Sequence, residues 1–178
     1  MNIAILQGSP NRDGSTAILA EEFVRGARMA GHAVERIDVA HLDIKPCTGC
    51  VACGYGARPC VQHDGMAAIL KKVLATDMVV FATPLYYYGM TAQLKAVIDR
   101  FCSENSAITG RRLKAVLITV AWNADDWTFE ALVAHYRTIV RYLDMTDCGM
   151  VLGYGCGTPG MTRASAAPRR AFELGRSL

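Results

Sequence analysis

Residues 2–31 read NIAILQGSPNRDGSTAILAEEFVRGARMAG, and this stretch decides the fold. Asn2 to Gln7 is a short apolar run that stops at Gly8, which is the pattern of a buried strand followed by a break. After a polar loop, Thr16 to Ala30 sets Leu19, Phe23, Ala27 and Ala30 on one helical face, and Gly31 closes the helix. The same unit of strand, loop and helix recurs along the chain. Val34 to Val39 predicts a second strand, and Asp64 is placed to cap a helix carrying Met66, Ile69, Leu70, Val73 and Leu74. Asp77 to Ala82 predicts a third strand, followed by a helix from Thr91 to Phe101 with Leu94, Val97, Ile98 and Phe101 on one side. Leu113 to Val120 predicts a fourth strand, before a helix bearing Phe129, Leu132, Val133, Tyr136, Val140 and Leu143. Cys148 to Leu152 is the fifth strand, and Pro168 to Leu178 forms a last helix after a loose glycine-rich segment.

Several of these strands are apolar at every position rather than at alternate ones, so helices must cover both faces of a parallel sheet. The class is doubly wound α/β. The 178 residues fit one domain, 1–178, with a cysteine-rich insertion at about 42–63 that has no periodicity of its own. Apolar residues make up 52% and charged residues 20%, enough for a core that offsets chain entropy. The formal charge of +3 is spread along the chain without a basic stripe, so no nucleic-acid footprint is expected. No apolar stretch reaches bilayer length and the N-terminus opens directly on a strand, so a cytoplasmic protein without membrane contact is expected. An odd count of seven cysteines then points away from a disulfide framework and toward metal or redox use.

In such sheets ligands sit beyond the carboxyl ends of the strands, and the first loop there carries Ser9, Ser15 and Thr16 between Gly8 and Gly14. Glycines admit backbone N–H groups to an anion, hydroxyls add donors, and the next helix offers its positive end. A P-loop needs a lysine where Gly14 stands, GxGxxG is absent, and the loop lacks the cysteine nucleophile that a phosphatase of similar topology would carry there, which leaves a phosphate-bearing ligand of another kind. The plain alternative is a loop in which Asp13 or Ser15 only caps the helix. The second loop, Thr83-Pro84-Leu85-Tyr86-Tyr87-Tyr88-Gly89, offers rings on which a flat heteroaromatic could stack, or simple packing and subunit contact. Ala121-Trp122-Asn123-Ala124 forms a third loop at the same edge, while Trp127 reads as packing at the start of a helix.

Taken in order, GSPNRDGSTA at 8–17, CTGCVAC at 47–53 and ATPLYYYGMTAQLKAVIDR at 82–100 resemble the NADPH-dependent FMN reductase family, and within it the iron-sulfur flavoproteins. The resemblance implies a flavodoxin-like three-layer sandwich whose five-stranded parallel sheet has the order 2-1-3-4-5. It implies FMN as cofactor, with the phosphate on Ser9, Asn11, Ser15, Thr16 and Ala17, and the ring on Pro84, Leu85, Tyr86, Tyr87 and Gly89. Ala121, Trp122 and Asn123 would border the flavin, although this loop is shorter than the glycine-rich one of the iron-sulfur flavoproteins. No residue is assigned as a general acid or base, because the chemistry belongs to the cofactor.

Cys47, Cys50, Cys53 and Cys60 fall within fourteen positions. Their spacing resembles that of a 4Fe-4S site. Zinc on four sulfurs, or free thiols in an inherited loop, stay open at this point, and Cys102, Cys148 and Cys156 receive no role. The expected activity is NAD(P)H-dependent oxidoreduction, with hydride passing from nicotinamide to FMN and electrons to a quinone, a nitro or azo compound, free flavin or an internal cluster. The alternative is an iron-sulfur flavoprotein or flavodoxin-type carrier fed by ferredoxin, but such carriers are strongly acidic and this chain is slightly basic. The family also implies a homodimer or homotetramer, with the helix from Thr91 to Phe101 in the contact.

Overall fold

Parallel pairing organises the chain, because each apolar strand is followed by a helix that can return only across a sheet face. A computed structural model describes all 178 residues. Strands β1 (Asn2–Gln7), β2 (Ala33–Ile37), β3 (Met78–Pro84), β4 (Lys114–Val120) and β5 (Thr146–Gly153) form one parallel sheet in the order β2-β1-β3-β4-β5. This is the doubly wound, flavodoxin-like order expected from the sequence. The winding reverses between β1 and β3, which run side by side from Ile3 opposite Met78 to Gln7 opposite Ala82.

Helices α1 (Ser15–Met29), α6 (Pro159–Ala164) and α7 (Ala167–Arg176) lie against one face; α2 (Met66–Leu74), α3 (Ala92–Asp99), α4 (Asn105–Arg111) and α5 (Glu130–Tyr142) lie against the other. Strand side chains alternate between two cores. Ile3, Ile5, Val80 and Ile118 meet Leu19 and Phe23 of α1, while Leu6, Val79, Phe81 and Leu117 meet Leu94 of α3 and Tyr136 of α5. Phe81 is fully buried and edge-on to Tyr136 at 6.1 Å, so truncating it to alanine costs about 3–5 kcal/mol. Gly31, at φ +82°, ends α1 by donating to the carbonyl of Arg28 at 3.0 Å, a turn that disfavours a Cβ.

Two helices depart from the sequence reading. Asn105–Arg111 lies where no element was expected, and Pro159–Ala164 occupies the segment read as loose. Only Ile108 is buried in the first, so it leaves no periodic trace; the second announces itself through Thr158, whose hydroxyl accepts from the Met161 N–H at 3.2 Å ahead of Pro159. No helix is long and apolar enough to cross a membrane.

Candidate functional site

The loop between β1 and α1 is wound on itself. The Ser9 hydroxyl donates to the Asn11 carbonyl at 3.1 Å and accepts from the Asn11 N–H at 3.2 Å, while the Asn11 side-chain oxygen accepts from the Asp13 N–H at 3.2 Å. Ser9 and Asn11 thus shape the loop. Its far end is different: α1 starts after Gly14 with no side-chain cap, so neither Asp13 nor Ser15 plays the capping role that was the plain alternative. The first N–H groups of a helix have no partner inside it, and here no side chain replaces one. The hydroxyls of Ser15 and Thr16, the latter 1% exposed, are buried without a hydrogen-bond partner. A buried hydroxyl left unpaired costs about 1–3 kcal/mol. Unpaired donors converging on a helix N-terminus fit an anion, and the phosphate of FMN fits in charge and position.

The second loop is locked to the first. Thr91, the N-cap of α3, donates through Oγ1 to the Gly8 carbonyl at 2.7 Å, and its own N–H donates to Thr83 Oγ1 at 3.0 Å. A Cβ on Gly8 would stand 2.6 Å from the Leu94 Cβ and 2.8 Å from Thr91 Oγ1, so only glycine lets loop and helix approach this closely. Beyond Pro84 and Leu85, whose N–H donates to the Val120 carbonyl at 2.8 Å, the chain turns sharply. Tyr86 and Gly89 exchange backbone hydrogen bonds at 3.0 and 3.1 Å, and Tyr87 and Tyr88 between them take φ of 45° and 62°. Two successive tyrosines in the left-handed region store strain of about 1–3 kcal/mol each. The turn leaves Tyr87 fully exposed and Tyr86 and Tyr88 partly so.

The third loop faces this turn across a cavity of about 240 Å³ lined by Leu85, Tyr87, Tyr88, Ala121, Trp122 and Asn123. Its backbone is pinned, since the Cys156 N–H donates to the Ala121 carbonyl at 2.7 Å and the Gly155 N–H to that of Asn123 at 3.0 Å. Trp122 lies against Gly157, where a Cβ would stand 2.2 Å from the indole. Trp127 packs on Tyr88 at 5.1 Å between ring centroids, so it braces the aromatic turn.

The cysteine loop runs between β2 and α2 as closely spaced turns. Gly49, Val51, Gly54, Tyr55 and Gly56 all have φ between 53° and 106°, and for a β-branched residue such as Val51 that conformation is strained. Cys47, Cys50, Cys53 and Cys60 line one cavity of about 330 Å³. They are not drawn in to the spacing of a single ion, for no three metal-binding side chains meet at such a distance. Four thiols on the wall of one cavity are the donor set that an iron-sulfur cluster takes. Cys50 is pulled below the usual thiol range by the Ala52 N–H and the Thr48 side chain.

Three further residues join these sites from positions that sequence patterns did not mark. Cys102 lines the same cavity, and burial together with Cys47 and Cys53 pushes its thiol up to about 12. Arg100 is 1% exposed and grips Asp64 at 2.8 and 3.2 Å. Burial acts to raise the Asp64 carboxyl, but Arg100 and the N–H groups of Lys45 and Met66 hold it at about 2. The third is Gln7 at the carboxyl end of β1, fully buried with both ends of its amide unpaired.

The model of the family described as NADPH-dependent FMN reductase matches residues 1–172. An iron-sulfur flavoprotein of Archaeoglobus fulgidus is 34% identical over 150 residues, 83% of this chain and 66% of that protein. Iron-sulfur flavoprotein MJ1083 of Methanocaldococcus jannaschii is 33% identical over 100 residues, 56% of this chain and 51% of that protein. The chain thus spans about half to two thirds of the length of these curated relatives. Among solved structures, the NAD(P)H:quinone oxidoreductase from Methanothermobacter marburgensis superposes with a TM-score of 0.76 at 18% identity, covering 99% of this chain and 96% of that one, a likeness of fold. The chain belongs to the NADPH-dependent FMN reductase family.

Proposed function

We propose that the protein is an FMN-dependent NAD(P)H oxidoreductase. Bound at the switch point, FMN supplies hydride acceptance from a nicotinamide and electron delivery to a quinone, a nitro or azo compound, free flavin or an internal cluster. The protein's part is to bind and orient. Ser15 and Thr16 donate their unpaired hydroxyls to the phosphate, joined by the first amides of α1 through Ala17, while Ser9 and Asn11 hold the loop in shape. Pro84, Leu85, Tyr86, Tyr87 and Gly89 receive the ring, and Ala121, Trp122 and Asn123 close the cavity on its other side. Residues 1–178 act as one unit, with the segment 42–63 as an insertion. The oligomer, a homodimer or homotetramer, uses the helix that begins at Thr91, and the protein works in the cytoplasm.

The observation that carries this reading is the uncapped start of α1 with two buried, unpaired hydroxyls beside it. Stopped-flow mixing of FMN-loaded protein with NADH and with NADPH tests it. Bleaching of the flavin absorbance with either donor is expected, and none with both donors across a range of pH would defeat the proposal.

The cysteine cavity favours a second reading, an iron-sulfur flavoprotein in which Cys47, Cys50, Cys53 and Cys60 hold a 4Fe-4S cluster and ferredoxin feeds the flavin. Absorption and metal analysis of protein purified without oxygen separate the two. Iron and sulfide near four per chain, on the scale of one cubane, support the cluster. A flavin spectrum without iron removes it and leaves the nicotinamide reading intact.

A further inference from the structure

We propose that Arg100 is the positioning residue of the cysteine site, tying both ends of the loop 45–64 to the body of the fold and presenting positive charge to Cys60. Arg100 follows α3 directly, on an element fixed in the core through Leu94, Val97 and Ile98. Every other partner comes from the loop. One terminal nitrogen donates to the Lys45 carbonyl at 2.9 Å and to Asp64 at 2.8 Å; the other reaches Asp64 at 3.2 Å. Asp64 in turn accepts from the N–H of Lys45 and of Met66, both at 3.0 Å, so one ion pair gathers the entry to the loop, its exit and the start of α2. Cys60 and Arg100 share the walls of the cysteine cavity and of the larger cavity beside it.

Stability alone does not account for this pair. Both side chains are 1% exposed, and apolar residues of similar volume would do as well or better, because desolvating two charges offsets most of their attraction. The Nε of Arg100 is also buried without a partner in the protein. A fixed cation with an unused donor at the wall of a thiol-lined cavity suits a site that gathers negative charge, as thiolates and a cluster do.

The part concerning charge rests on the cluster reading; the tie does not, and two measurements keep them apart. Hydrogen exchange on the full-length, metal-free chain addresses the tie. Amides of residues 45–64 should exchange at least tenfold faster in Arg100→Gln than in wild type, with those of β1 and β3 unchanged, and equal rates would overturn it. Should Arg100→Gln not fold, Arg100→Lys, which keeps the charge and loses the fork, carries the same comparison with a smaller acceleration. Protein reconstituted anaerobically with iron and sulfide addresses the charge. The midpoint potential of the metal centre should fall in Arg100→Gln and return toward wild type in Arg100→Lys; an unchanged potential in Arg100→Gln overturns this part. If wild type takes up no iron, the cluster reading and the charge part fall together, while the exchange comparison still decides the tie.

Discussion

Replacing Thr16 by valine should move stability and flavin affinity in opposite directions. The two side chains have nearly the same shape, so the substitution removes a hydroxyl and leaves the packing under α1 in place. In the flavin-free protein that hydroxyl is buried and unpaired, which costs about 1–3 kcal/mol. Recovering even 1 kcal/mol raises Tm by about 2–4 °C in a chain of this size. Valine and threonine have similar helix propensities, so the backbone adds little to the change. With FMN bound the same hydroxyl donates to a phosphate, and a hydrogen bond to a charged group contributes about 1.5–3 kcal/mol. Its loss should weaken binding about 10- to 150-fold.

Calorimetry of the flavin-free proteins and quenching of FMN fluorescence on titration read the two quantities. Ser9→Ala provides the opposite sign on stability. Its hydroxyl already holds the loop through two bonds to Asn11, so its removal should destabilise the flavin-free protein by about 0.5–1.5 kcal/mol. A flavin-free Thr16→Val protein that melts below wild type, or an affinity within twofold of wild type, would refute the reasoning, because the hydroxyl would then be serving the fold rather than the phosphate.

Gly8→Ala should destabilise the protein by about 1–3 kcal/mol and abolish tight flavin binding, because the new methyl must push the phosphate loop off Leu94 and Thr91; denaturant unfolding with the FMN titration checks both. Tyr87→Gly should stabilise the flavin-free chain by about 1 kcal/mol in the same unfolding assay, since it relieves φ of 45° and gives up a ring that is fully exposed and so buries little, while flavin affinity falls. Asp64 gives a pH dependence of defined sign. Its carboxyl is held at about 2 against an ordinary value of 3.8, so its stabilisation is present above pH 4 and drains away as pH falls toward 2. The difference amounts to about 2 kcal/mol, and in Asp64→Asn, followed by urea unfolding from pH 5 to 2, this acid-sensitive component should be missing.

The fold could be read from the sequence because its signals are local. β3 is buried at every residue, which only a sheet covered on both faces requires, and α1 and α5 repeat their apolar positions at helical steps. The positions of the first and second loops were legible for a related reason: topology brings the carboxyl ends of parallel strands to one edge, so placing the strands also places the loops. The cysteine spacing was equally local. What stayed hidden depends on distance across the fold. Arg100 read as the end of an amphipathic helix and Asp64 as a helix cap, and nothing in a window of a dozen residues pairs two side chains 36 positions apart. Cys102 lines the cysteine cavity from the end of a different element, a proximity that spacing cannot express.

The hidden features share a physical character. The hydroxyls of Ser15 and Thr16, the amide of Gln7 and the Nε of Arg100 are each buried without a partner. Val51, Tyr87 and Tyr88 hold backbone conformations that their side chains disfavour. His32, Thr119 and Thr128 also carry buried unpaired atoms and Arg112 and Asp144 also take positive φ, but at the switch-point loops and beside the thiols the two kinds of departure fall together, which is where a ligand would use them. An unpaired donor is costly to the empty protein and becomes favourable when an anion arrives, so under the proposed function the same atoms that lower the stability of the flavin-free chain should strengthen its binding of FMN. Sequence identifies the residue types that could play this part, but whether a hydroxyl is satisfied is a property of the packed structure, which is why Ser9 and Thr16 looked alike as letters and act in opposite ways in the loop.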